Sequence, residues 1–273
     1  MAGSQAPYGA FAQSNPAAPV VWLSMEPGHD HLRDADAGCA AWRAILPRVA
    51  SPPQRWATFD CYGTLVDWNA GIGAELARLF GDSGADELLE RYHAIEPGIQ
   101  AERPEARYRE VMALSLAQLA SEAGIALPED ERDALGRSLP GWPVFPDVRE
   151  ALAEAHERGW TLVALSNSDR DLIDASLREV GVPFDGAIVA SEIGSYKPAH
   201  GHWRSFYEST DADRDSHVHV AQSHFHDIVP ANDLGIPSVW INRLGERREP
   251  SPTRELRDLK GLADVLDELV PTS

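Results

Sequence analysis

From residue 54 onward the chain alternates short apolar runs with longer amphipathic stretches. The apolar runs fall at 57–59, 161–165, 186–190, 217–221 and 238–241, and they are rich in Val, Ile, Leu and Ala. Short runs of this kind, with amphipathic stretches between them, predict the strands of a parallel sheet. Stretches such as 148–158 and 169–180 repeat their apolar residues at helical spacing. This alternation predicts an α/β fold with a Rossmann-like, doubly wound parallel sheet. Residues 74–141 break the rhythm, with helical patterns at 85–95, 108–123 and 129–138 and no strand pattern. The reading is therefore a core of 54–73 and 142–273, with 74–141 as an inserted helical cap over the sheet's carboxyl edge. Residues 1–53 are rich in Ala, Pro, Gly, Ser and Asp, and only 40–46 looks helical. They read as a mostly disordered leader.

The polar residues that end these runs are the candidate chemistry. Trp56-Ala57-Thr58-Phe59 runs straight into Asp60, and Cys61-Tyr62-Gly63-Thr64-Leu65 follows. Ser166 and Asn167 end the second run, Lys197 follows the third, and Asp227 follows the fourth. In a parallel sheet these ends converge on one crevice. A lone Asp at such an edge serves as a nucleophile or as a metal ligand. Two places on stands Tyr62 rather than a second acid. Lys197 beside Asp60 would favour the ionised carboxylate and keep its pKa low.

Composition narrows the partners. A formal net charge of −19 disfavours nucleic acid and anionic membrane. No apolar run reaches membrane-spanning length, and the N-terminus lacks a basic segment followed by an apolar core. Two cysteines, Cys39 and Cys61, make no disulfide framework, so a reducing cytoplasm is the default. Six histidines lie between His200 and His226, but without tight ligand spacing, and no metal site is assigned to them.

The motif Phe59-Asp60-Cys61-Tyr62-Gly63-Thr64-Leu65, with Ser166-Asn167, Tyr196-Lys197-Pro198 and Asp227 in that order, resembles the haloacid dehalogenase superfamily. Tyr62 points to its L-2-haloacid dehalogenase branch, and Trp240-Ile241-Asn242-Arg243 is similar to that family's later strand. The resemblance covers Trp56 to the C-terminus. It implies a hydrolase of small 2-substituted carboxylic acids that uses no cofactor and no metal. Asp60 would be the nucleophile, Lys197 its cationic partner and Asp227 the residue that positions water. Thr64, Ser166 and Asn167 would hold the substrate carboxylate, and Tyr62 would shape the pocket. Arg91 stands at a family-like distance for the leaving halide, with a solvated helix arginine as the alternative. His224 and Gln222 stand where the family generally shows Asn and Ser, and His224 is a candidate to assist the water. Trp203 stands where the family often has Tyr, as a further substrate contact. A homodimer is compatible with this reading. The alternatives are hydrolysis of another C–X bond, a phosphatase, or a non-catalytic binding module that keeps the fold.

Overall fold

A computed structural model describes residues 54–272. Six strands form one sheet: β1 Arg55–Phe59, β2 Trp160–Ser166, β3 Gly186–Val189, β4 His217–Ala221, β5 Ser238–Ile241 and β6 Arg254–Leu256. Their order is β3-β2-β1-β4-β5-β6, and every neighbouring pair is parallel. The chain starts in the middle, winds out to β3, returns beside β1 and winds out to β6. This is the doubly wound order expected from the sequence. The direction reverses between β1 and β4, where such sheets leave a crevice beyond the strand ends. Strands β1, β4 and β5 are buried along their whole length, as parallel strands covered on both faces are.

Between β1 and β2 lie α1 Trp68–Phe80, α2 Ala85–Glu102, α3 Tyr108–Ala123, α4 Ala134–Ser138 and α5 Val148–Glu157. After β2 comes α6 Arg170–Val180, after β3 come α7 Ala190–Ile193 and α8 Gly201–Ser209, after β4 comes α9 Val229–Asp233, and α10 Leu262–Leu269 closes the chain. Leu88, Tyr92, Met112 and Leu116 of the inserted helices belong to the same hydrophobic cluster as Phe59, Ile72 and Leu162. Buried Asp169, just before α6, accepts from the Tyr108 and Arg109 amides at 3.1 and 3.2 Å. A carboxylate at a helix N-terminus satisfies otherwise unpaired N–H groups. Here it fixes the start of α3 against the end of β2.

Three elements differ from the sequence expectation. Helix α2 continues past residue 95, through Pro97, to Glu102. The expected helix at 129–138 is a tight turn at Glu129–Glu131 followed by the short α4. β6 carries no apolar run, because it is an edge strand with exposed Arg254 and Glu255. The expectations for residues 1–53 lie outside the described residues. No described helix is long and apolar enough to cross a membrane.

Candidate active site

Lys197 is the centre of the crevice. Its ammonium donates to Asp60 Oδ1 at 2.9 Å, to Asp227 Oδ1 at 2.7 Å and to the Leu165 carbonyl at 2.8 Å. These three bonds use all its donors. The side chain is fully buried, and burial alone would lower the ammonium's pKa; Asp227 and Asp60 outweigh that and raise it. Asn167 holds the lysine's backbone at both ends, accepting from Lys197 N–H at 2.6 Å and donating to Lys197 C=O at 2.9 Å. The structure thus gives Asn167 a role in placing Lys197.

Asp60 leaves β1 with its amide bonded to the Val220 carbonyl of β4 at 3.0 Å. Its second oxygen, Oδ2, accepts from Thr64 Oγ1 at 2.7 Å. Thr64 Oγ1 itself accepts from the Gln222 amide at 2.8 Å. With that lone pair occupied, its proton is directed at Asp60. Thr64 orients the carboxylate and does not line the cavity, which departs from its expected contact with substrate. Burial raises the Asp60 carboxyl above its ordinary value, with a smaller push from Asp227, and Lys197 and Thr64 only partly offset this. The expectation that Lys197 would keep it low is therefore corrected. Gly63 permits the tight turn. Its φ is +91°, and a Cβ there would lie 2.9 Å from Gln222 Oε1 and 3.2 Å from Trp68 Nε1. Arg243 closes the loop from behind, with a two-pronged pair to Asp147 at 3.1 and 3.0 Å and a bond to the Thr64 carbonyl at 2.8 Å.

Asp227 sits on the helical turn after β4 and is fully buried. Besides Lys197 it accepts from His219 Nε2 at 2.9 Å. Burial would raise its carboxyl, but Lys197 and His219 outweigh this and hold it at about 2. Behind it runs a buried chain: His219 Nδ1 to Thr58 Oγ1 at 2.8 Å, Thr58 Oγ1 to His217 Nε2 at 2.7 Å, and His217 Nδ1 to the Tyr207 hydroxyl at 2.8 Å. An ionised Asp227 can only accept, so His219 carries its proton on Nε2. Thr58 Oγ1 joins the two rings, and the Tyr207 hydroxyl closes the far end of the chain. Sequence reasoning missed this chain. Its signal was the His217-Val218-His219 alternation, which puts both rings on one face beside Thr58 of the neighbouring strand.

Over these groups lies a cavity of about 230 Å³. Asp60, Lys197, Asp227, Tyr62, Ser166 and Asn167 all line it. Ser166 Oγ and Asp227 Oδ2 are buried and have no partner among the described residues. The Tyr62 hydroxyl meets Ser176 Oγ at 3.1 Å, and its ring stacks on Tyr108. Three expected residues lie elsewhere. Arg91 is on another face of α2, beside Glu122 at 3.5 Å, and does not line the cavity. The lining face of α2 is His93, Glu96, Pro97 and Gln100, whose spacing excludes position 91. Trp203 is packed in a core cluster with Leu165 and Phe206, its ring 5.2 Å from His219. His224 turns away to the Pro250 carbonyl at 2.8 Å and packs on Trp240. His226 lines the cavity instead, with Ser223 Oγ 3.0 Å from its Nδ1.

A doubly wound parallel core, helices inserted after its first strand and a lysine between two carboxylates at the switch point define a Rossmann-like α/β protein with a polar site at its strand ends. Within that class it belongs to the haloacid dehalogenase-like hydrolases, whose family model matches residues 55–209. It is similar to an (S)-2-haloacid dehalogenase of Pseudomonas sp. strain YL, with 24% identity over 77% of this chain and 93% of the relative. It is also similar to a phosphoserine phosphatase of Thermus thermophilus, with 28% identity over 66% of this chain and 73% of the relative. The solved L-2-haloacid dehalogenase from Xanthobacter autotrophicus superposes with a TM-score of 0.71 at 18% identity, over 78% of this chain and 98% of that one.

Proposed function

We propose that this enzyme hydrolyses a small 2-substituted carboxylic acid, with a 2-haloacid as the first substrate to test, through an ester on Asp60. The observation that carries the reading is Lys197 Nζ, set between Asp60 and Asp227 at 2.9 and 2.7 Å on the wall of one cavity. An Asp60 oxygen attacks C2, the C–X bond breaks, and X departs with the electron pair. The substrate carboxylate is held by hydrogen bonds, with the free Ser166 hydroxyl as one donor. Water oriented by Asp227 Oδ2 then adds to the ester carbonyl. One water proton ends on the departing hydroxyl oxygen and the other in solvent, as Asp60 regains its charge. Residues 74–141 act as the cap, with α2 and Tyr108 of α3 forming the distal wall.

A magnesium ion does not suit this set of groups. It needs near-octahedral oxygen ligation. Asp60 and Asp227 each give an oxygen to Lys197, and Tyr62 stands where a further acid would be needed. The likeness to a phosphoserine phosphatase favours one second reading, a phosphatase. Turnover of 2-haloacids and phosphate monoesters, each with EDTA and with Mg²⁺, separates the two. Haloacid turnover unaffected by EDTA is expected; phosphate release that requires Mg²⁺ would replace the proposal.

A further inference from the structure

The cavity wall opposite the strand ends has a chemistry that a plain 2-haloacid does not use. His93, Glu96, Pro97 and Gln100 stand at helical spacing on one face of α2. Their polar atoms include several acceptors, and one N–H of Gln100 is left over beside them. His93 Nε2 lies 2.8 Å from Asn69 Oδ1, which can only accept, so the ring proton is on Nε2 and Nδ1 is a lone pair. That Nδ1 is buried and has no partner among the described residues. Gln100 donates its Nε2 to Glu96 Oε1 at 3.1 Å, which leaves Gln100 Oε1 as an acceptor. Pro97 has no N–H to give the His93 carbonyl. Glu96 itself is 3% exposed, and no cation among the described residues is paired with it.

Charge points the same way. Lys197 is the sole lysine or arginine among the described residues lining the cavity, and it is already shared by two carboxylates. His93 and His226 have pKa values lowered by burial and are neutral. The lining thus sets three carboxyl groups, Asp60, Glu96 and Asp227, against one cation.

We propose that this face of α2 is a second subsite that takes an ammonium group, so that the substrate is a 2-substituted acid with an amino substituent. The inference rests on the reading of Asp60 as the nucleophile toward such acids. A zwitterion brings its carboxylate to the strand ends and its N–H donors to Glu96, His93 and Gln100. Burial raises the Glu96 carboxyl to about 7, and hydrogen bonds from Tyr108 and Gln100 only partly oppose it. The titratable groups facing it are Tyr92 on its own helix, Tyr108 on α3 and Tyr196 before α8, all raised by burial and none cationic. An arriving ammonium therefore drives Glu96 to ionise.

Calorimetric binding of 3-amino-2-hydroxypropanoate and of lactate tests this without relying on turnover. The amino probe should bind the parent at least about tenfold more tightly. Repeated at pH 7 in buffers of different ionisation heat, its binding should release about half a proton. Glu96→Gln should cut the preference to under about twofold and abolish the proton release. His93→Leu, which leaves Glu96 in place, should weaken the preference and serves if the Gln variant fails to fold. Equal affinity of the two probes, undetectable binding of both included, would overturn the subsite, as would a preference unchanged in both variants. Failed dehalogenation with the preference intact would instead count against the hydrolytic reading alone.

Discussion

Glu96 also makes a stability prediction whose size follows from its burial. The carboxyl's ordinary value is 4.5, and the fold raises it to about 7, desolvation being the largest cause. The folded chain thus binds this proton more tightly than the unfolded chain does. The neutral carboxyl's contribution is fully present below 4.5 and is lost as pH rises through about 7. Ionising the group in place costs on the order of 3 kcal/mol. Glu96→Gln keeps the shape and an oxygen for the Gln100 bond but cannot ionise. Urea unfolding of parent and variant at pH 5 and pH 8.5 should therefore give two different comparisons. At pH 5 the proteins should agree within about 1 kcal/mol, the scale of one hydrogen bond. At pH 8.5 the variant should be the more stable by up to about 3 kcal/mol. Parallel stability curves, or a variant less stable at pH 8.5, would refute the reasoning and show that Glu96 is already ionised and paired.

Two further substitutions test the crevice. Lys197→Met should slow ester formation by at least about a hundredfold, because two unit charges about 4 Å apart interact by about 4 kcal/mol at an effective dielectric of about 20; chemical-quench trapping of the ester reads this, and a rate within about tenfold of the parent would contradict it. Thr58→Val should cut the chain behind Asp227 and leave buried imidazole nitrogens unpaired, at a cost of about 1–3 kcal/mol in stability. In the same quench it should slow ester hydrolysis more than ester formation, so that the ester accumulates; an unchanged ratio of the two rates would remove the chain from the account.

The sheet was legible chiefly through β1, β2, β4 and β5, which are buried almost throughout. Asp60 and Ser166 mark where β1 and β2 stop, Lys197 and Asp227 lie on the segments after β3 and β4, and the doubly wound topology brings all four to one crevice. β6 was not legible, since Arg254-Glu255-Leu256 on the sheet edge has no buried pattern. The helical pattern was read only to 95, yet α2 runs on through Pro97 to Glu102, and this hid Glu96 and Gln100 as members of the cavity face. Arg91 fell at a fitting distance along the chain but at the wrong angle around its helix. Linear spacing cannot show that angle until the packing of α2 is known. Trp203 and His224 were assigned by position within motifs, and each is drawn away by a local partner: the apolar cluster around Phe206 and the Pro250 carbonyl. The His219–Thr58–His217 chain needed the register of β1 against β4, which no single strand reveals.

The central claim is that Asp60, held by Lys197 and Thr64, attacks substrate carbon and is released by water. A single turnover of 2-chloropropionate in ¹⁸O-water, with enzyme in excess, followed by mass spectrometry of the Asp60 peptide and of the product, tests it directly. The label should enter the Asp60 carboxylate, and the hydroxy acid should carry an unlabelled oxygen from the enzyme. Label in the hydroxy acid and none in Asp60 would mean that water attacks the substrate itself, and the account would fall.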